Sequence, residues 1–248
     1  MQEILELVKF KKQEFAQLPL FEFMQDKSIA PRQRLSFAPC MAHFIMSFSD
    51  INKYVLRNDQ ISNPIQEMVN QYTYEDDNHW PWFIADIEKL GFNSPLSFSD
   101  TLKFIWGEDT KITRQIAYQV IGYALEAEPN IKILIIQALE ATADVFFSKS
   151  TEVISELQII TKQEYCFFGD LHLHEETGHT MSNSNSEKLL AEIELTESQR
   201  QEAINAVEKI FNIFSEWTYE LLTYAHNHPV KLVQSELEKP QSQLAICR

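Results

Sequence analysis

Between residues 170 and 180 the sequence reads DLHLHEETGHT, which gathers three of the chain's seven histidines and two adjacent glutamates. Projected on an α-helix at about 100° per residue, His172, Glu176 and His179 fall on one face, because positions three and four apart are neighbours. His174 points to the opposite side, while Glu175 lies nearer the stripe. Two imidazoles and a carboxylate form a mixed nitrogen–oxygen donor set of the kind that suits iron, manganese or zinc. Gly178, inside the same stretch, costs a helix about 1 kcal/mol relative to alanine, which points to close backbone approach or a local distortion. The plain alternative is a surface helix rich in histidine and glutamate.

A second segment, YTYEDDNHWPWF at 72–83, sets three acids and a histidine among aromatic residues. Acids in such a setting are costly to bury without compensation. Asp76 and His79 are three apart and Glu75 and His79 four apart, so either acid can share a metal with His79. Asp77 fits water better. Pro81 distorts the turn just after the histidine. A third candidate is Glu140, alone at the centre of the very apolar IIQALEATADVFF. There it must be neutralised, paired or metal-bound, the ordinary alternative being a salt bridge to lysine or arginine. Asp144, one turn later, either supports Glu140 or faces solvent. Carboxylates and histidines projecting from several core helices are what a carboxylate-bridged di-metal site requires. Spacing alone does not separate such a site from a mononuclear one.

These residues need helices to hold them, and the composition allows little else. The chain has 248 residues, 44% of them hydrophobic, enough for one domain with a sizeable core. With only 5 glycines and 9 prolines, it shows helical rather than alternating apolar spacing. An all-α single domain of about seven to eight helices is expected over 1–248, with the tail 229–248 peripheral. The expected helices run near 2–16, 31–56 with a bend at Pro39, and 64–91 with Gly91 as its stop. The next lie near 97–107, 110–127, 128–147, and 151–165 with Thr151 as a cap. Another starts at Asp170, and the last spans 197–228. Pro19 falls in a connector.

The formal net charge of −15 argues against nucleic acid as a partner, since phosphate binding needs clustered lysine and arginine. No apolar run approaches the roughly 20 residues of a membrane helix. The start, MQEILELVKFKKQEF, lacks the apolar block of a signal peptide. Three cysteines without a closely spaced pair suit a reducing compartment, so a cytoplasmic protein is expected.

The order and spacing of the candidate ligands resemble those of the heme-oxygenase-like diiron oxidases and oxygenases, an all-helical family. Its members hold two irons with an acid–His helix, a Glu helix and a final His-x3-Asp/Glu-x2-His helix. On that resemblance His172, Glu176 and His179 form the final motif, Glu140 is the middle-helix ligand and His79 the first histidine. Many members place a glutamate seven residues before that histidine, where this sequence has Tyr72. The family's other spacing, Glu-x-x-His, picks Asp76, with Glu75 as competitor. The resemblance implies a heme-oxygenase-like bundle over most of the chain, although its motifs cover only 75–179. It also implies two Fe(II) ions as cofactors, with Mn/Fe left open, O2 as co-substrate, a small-molecule substrate, and scope for an external electron donor and a homodimer.

Reactions of similar enzymes include oxidative decarboxylation of fatty acids, fragmentation of amino acids, N-oxygenation and nitrile formation. EDDNHWPWF and the chain length look most similar to the nitrile-forming branch, which acts on a brominated tryptophan. The resemblance therefore implies an oxidoreductase acting on an aromatic, tryptophan-type amino acid, halogenated or not, with oxidative C–C cleavage to a nitrile. Three rival readings stand beside it. A heme-binding protein of the same fold would use His43 as axial ligand. A thiaminase-like member would use Cys40 or Cys166 as nucleophile. A non-enzymatic protein would hold zinc.

Overall fold

Apolar periodicity becomes helix throughout this computed structural model, which describes residues 1–173 and 190–230; no strand occurs among them. Helix α1, Gln2–Phe15, turns Ile4, Leu5, Val8 and Phe15 inward. The segment expected as a connector is itself a helix, α2, Pro19–Gln25. Pro19 opens it at a first-turn position, where a missing N–H costs nothing. The expected long helix over 31–56 is broken into α3 (Pro31–Arg34), a 3-10 turn at Ala38–Met41 that contains Pro39, α4 (Ala42–Ile51) and a π-helical turn at Asn52–Leu56.

The expected helix 64–91 is also two helices. Helix α5, Pro64–Asp76, starts at Asn63, whose side chain accepts the N–H groups of Ile65 and Gln66. Helix α6, Trp80–Lys89, starts after His79 with Pro81 in its first turn. A proline there has no N–H to continue the α5 ladder, so the chain restarts instead of bending. Gly91, at φ +71°, ends α6 in the left-handed conformation that glycine adopts most cheaply, as expected.

Helices α7 (Phe98–Ile105) and α8 (Lys111–Ala124) follow. Next, α9 runs unbroken from Pro129 to Thr161, 33 residues, where two helices were expected. Thr151 is interior and buried rather than a cap. Neighbouring Ser150 accounts for part of the continuity, because its hydroxyl donates to the carbonyls of Phe147 at 3.2 Å and Phe168 at 2.9 Å. Residues 170–173 are helical. Helix α10, Glu197–Asn227, opens on a capping box formed by Thr196 and Gln199.

Helix α9 is apolar nearly all round because it is surrounded: α10, α1, α5 and α2 all pack on it, and α8 closes against α4 and α10. The result is an all-helical bundle around one hydrophobic core. Its buried cations are tied down. Lys132 Nζ donates to the carbonyl of Val55 at 2.8 Å and to that of Leu56 at 3.3 Å, satisfying the end of the π-turn. Burial lowers its pKa. Arg34 pairs with Glu156 and donates to the Met24 carbonyl. No helix among the described residues is long and apolar enough to cross a membrane.

Candidate metal centre

The break between α5 and α6 is where the first candidate ligands sit, and neighbouring side chains pin it. The carbonyls stranded at the end of α5 need donors. Ser49 Oγ supplies one to Asp77 at 2.7 Å, Asn52 Nδ2 one to Asp76 at 3.4 Å, and Arg57 Nη2 one to Thr73 at 2.8 Å. Arg57 also meets the Asp77 carboxylate at 2.6 Å, which assigns Asp77 to an ion pair. Asp76 thus ends one helix and His79 precedes the next, with His79 Nδ1 2.7 Å from Asp76 Oδ1. The other Asp76 oxygen accepts from the Tyr72 hydroxyl at 3.0 Å. Tyr72, at the position where the family resemblance implies a glutamate, is buried and bound to the carboxylate four residues on.

His172 comes to the same point from the segment that follows α9. It is only 3% exposed, and its Nδ1 lies 2.9 Å from the Phe167 carbonyl. A carbonyl can only accept, so Nδ1 carries the proton and Nε2 is the basic nitrogen, the tautomer a metal-binding histidine needs. Its ring is 4.0 Å from that of Phe147, 4.8 Å from Phe167 and 4.6 Å from His79. Trp82 stacks on His79 at 4.7 Å. Asp76, His79 and His172 each offer a ligand atom, and these atoms lie within 4.8 Å of one another.

Among the remaining candidates, Glu140 lines the same cavity as these three but is not part of that tight group. Glu75 accepts from Gln71 at 2.7 Å; between the two competing acids, it is Asp76 that is brought to His79. Asp144 pairs with Lys12 at a half-exposed position. Glu176 and His179, like Glu175, Gly178 and His174, lie outside the described residues.

A cavity of about 90 Å3 lies against these residues and opens at its mouth. Trp80, Phe146 and Phe147 line it, while Phe83 is core. Phe44, Phe214 and Trp217, also in its wall, come from α4 and α10, two helices whose sequences carry no ligand signal.

Asp86 is a positioning residue that sequence reasoning missed. It is fully buried and accepts three successive backbone N–H groups, Cys166 at 3.1 Å, Phe167 at 2.8 Å and Phe168 at 3.1 Å. It thereby fixes the turn whose Phe167 carbonyl orients His172. Burial pushes its pKa up, opposed by those three donors and by Lys89. Its only sequence signal was an Asp three residues before Lys89, which reads as a surface pair.

Two rival sites fare poorly on geometry. Cys40 is buried, and desolvation with nearby Glu220 and Asp109 drives its thiol far above the range of a usable nucleophile. Cys40→Ala is therefore expected to leave any activity within about twofold, measured by turnover on the same preparation. His43 packs between the rings of Trp106 and Tyr118, outside the cavity. Compared with known proteins, the chain matches no protein-family model and no curated protein.

Proposed function

We propose that this protein is an O2-dependent, non-heme di-metal oxidoreductase of the heme-oxygenase-like kind. Its substrate in this reading is an amino acid, most simply an aromatic one. The observation that carries the reading is a buried Asp76–His79–His172 donor group opening on a cavity that Glu140 and several aromatic rings also line. The donor set fits the metal: one carboxylate with two imidazoles, one of them held in the metal-binding tautomer, suits a divalent iron. Glu140 would help hold a second ion, with Glu176 and His179 completing the set as the resemblance implies. Iron bound there would supply the electrons that reduce O2 and the oxidant that attacks the substrate.

The chain's own residues do the rest. Phe167 and Phe147 hold the His172 ring, Tyr72 holds one Asp76 oxygen, and the apolar walls keep bulk water from the reacting atoms. Aromatic rings beside the donors suit a flat side chain, whose amine or carboxylate would lie toward the metals. Cleavage to a nitrile is the finest form of this reading and rests on the sequence resemblance alone.

The test is anaerobic Fe(II) titration of the purified apoprotein, then rapid mixing with O2. The mixing is repeated with tryptophan, halogenated tryptophans, lysine and a medium-chain fatty acid. Uptake of about two irons per chain, with O2 consumption stimulated by one panel member, is expected. One tightly held zinc and no iron uptake would assign the group to a non-enzymatic metal site. Glu140→Ala is expected to halve the iron stoichiometry and abolish substrate-stimulated O2 use. Unchanged uptake would remove Glu140 from the site.

A further inference from the structure

Helix α9 lines the cavity with a stripe of side chains, Leu139, Glu140, Ala143, Phe146 and Phe147, spaced three and four apart and so stacked along one face. Within that stripe only Ala143 ends at its Cβ, with Glu140 one turn before it and Phe147 one turn after. Leu139, Phe146 and Phe147 are buried, whereas Ala143 keeps accessible surface in the middle of a helix that other helices surround. The flanking rings are held elsewhere. Phe146 packs on Phe37 at 6.1 Å and Phe168 at 6.3 Å, and Phe147 on His172 at 4.0 Å. Thr142, also in the wall, turns its hydroxyl back to the Leu139 carbonyl at 2.8 Å. The open surface of Ala143 thus lies one helical turn from Glu140 and one turn from the ring that supports His172.

We infer that Ala143 is a specificity-determining residue: the planar side chain of the substrate amino acid lies against its methyl group, and that methyl sets how bulky the side chain can be beside the metal donors. A larger residue at this position would place its own atoms where the ring goes. Because Ala143 is within a turn of Glu140 and Phe147, it limits the width of the group next to the donors, not the reach of a chain away from them. An apolar pocket discriminates by about 10–200-fold for each methylene gained or lost, so one added or missing methyl here is enough to select among ring sizes. This inference rests on the reading of the cavity as the substrate pocket.

The probes are leucine, tryptophan and tryptophans methylated at each ring position in turn. Binding is measured anaerobically to the Fe(II)-loaded protein, so no turnover intervenes. Ala143→Leu, which adds an isopropyl group, is expected to shift the tryptophan-to-leucine affinity ratio about tenfold toward leucine with iron uptake unchanged. Ala143→Gly removes the methyl and crowds nothing, so it decides the matter where the leucine variant fails to fold. At one ring position the added methyl is expected to cost the wild type about tenfold in affinity, and Ala143→Gly to recover it. In zinc-substituted protein labelled with 13C at alanine methyls, the Ala143 resonance, assigned by its loss in Ala143→Gly, is expected to move upfield under the ring of bound tryptophan. An unchanged ratio in a folded Ala143→Leu, no ring position recovered by glycine, or an Ala143 methyl indifferent to bound tryptophan would each overturn the inference. If the wild type binds no amino acid, the substrate reading fails instead, and straight against branched fatty acids on the same variants decide the role of Ala143. Failure of Fe(II) uptake by the wild type would overturn the di-metal reading, and the same titrations on the metal-free protein then decide it.

Discussion

His172→Ala is expected to abolish Fe(II) uptake at the Asp76–His79 group and all O2 consumption, while the protein stays helical. The imidazole is the one member of the tight group contributed by the chain after α9, so no neighbouring ligand can replace it. Losing a direct ligand should cost more than the roughly ten- to hundredfold in affinity that an outer hydrogen-bond partner is worth. The fold is expected to survive because the gap left beside Phe147 and Phe167 is apolar and costs a few kcal/mol at most. Metal titration followed by inductively coupled plasma analysis, with circular dichroism on the same sample, separates the two effects. Normal uptake in a folded variant would dissolve the assignment of Asp76, His79 and His172 as one site.

Asp86→Ala is the second large effect, and it comes from outside the cavity. The substitution strips three backbone N–H groups of an acceptor they share in a fully buried position. Each such group left unsatisfied costs about 1–3 kcal/mol, and because one turn relaxes as a unit, a total of about 3–5 kcal/mol is expected. Denaturant unfolding reads that loss directly. Metal affinity should fall as well, since the displaced Phe167 carbonyl no longer fixes the His172 tautomer. Asp86→Asn retains an acceptor oxygen and is expected to fall between wild type and alanine.

The pH dependence has a definite sign. Burial raises the Asp86 pKa in the folded protein above its ordinary value of 3.8. Between that value and the raised one, the folded state holds a proton that the unfolded state has released. The stability difference between wild type and Asp86→Asn should therefore shrink as pH rises through that window. Lys89, whose Nζ lies 3.7 Å from the carboxylate, moderates the change. A difference that grows with pH there would mean that the three N–H donors outweigh burial.

Much of this was legible in the sequence, for reasons that can be stated. The all-helical class followed from apolar spacing, and the boundaries of α1 and α10 followed because solvent-facing polar positions alternate cleanly with buried ones. Asp76, His79 and His172 were legible because acids and histidines among aromatic residues need a reason to be there. What escaped detection depended on tertiary contact. Pro81 was read as bending a helix, but the carbonyls it strands are satisfied by Ser49, Asn52 and Arg57, which makes a full break affordable. The polar run SKST at 148–151 was read as a boundary, yet Ser150 and Thr151 are buried in mid-helix, Ser150 against the turn that precedes His172. Asp86 acts on partners some eighty positions away, and no local pattern marks such pairs.

Helix α6 joins these observations in a mechanical sense. His79 stands at its N-terminus, and Asp86, two turns on, grips the turn that aims His172. Both imidazoles are thus mounted on one rigid body, one directly and one through a clamp. A strain that tilts α6 would carry the two histidines together and preserve their spacing. Asp76 belongs to α5, across the break, and would stay behind. The site therefore has one stiff internal dimension, histidine to histidine, and one compliant dimension, carboxylate to histidine. Any distant change in the bundle that reaches this centre would be felt as a lengthening or shortening of the Asp76 contact.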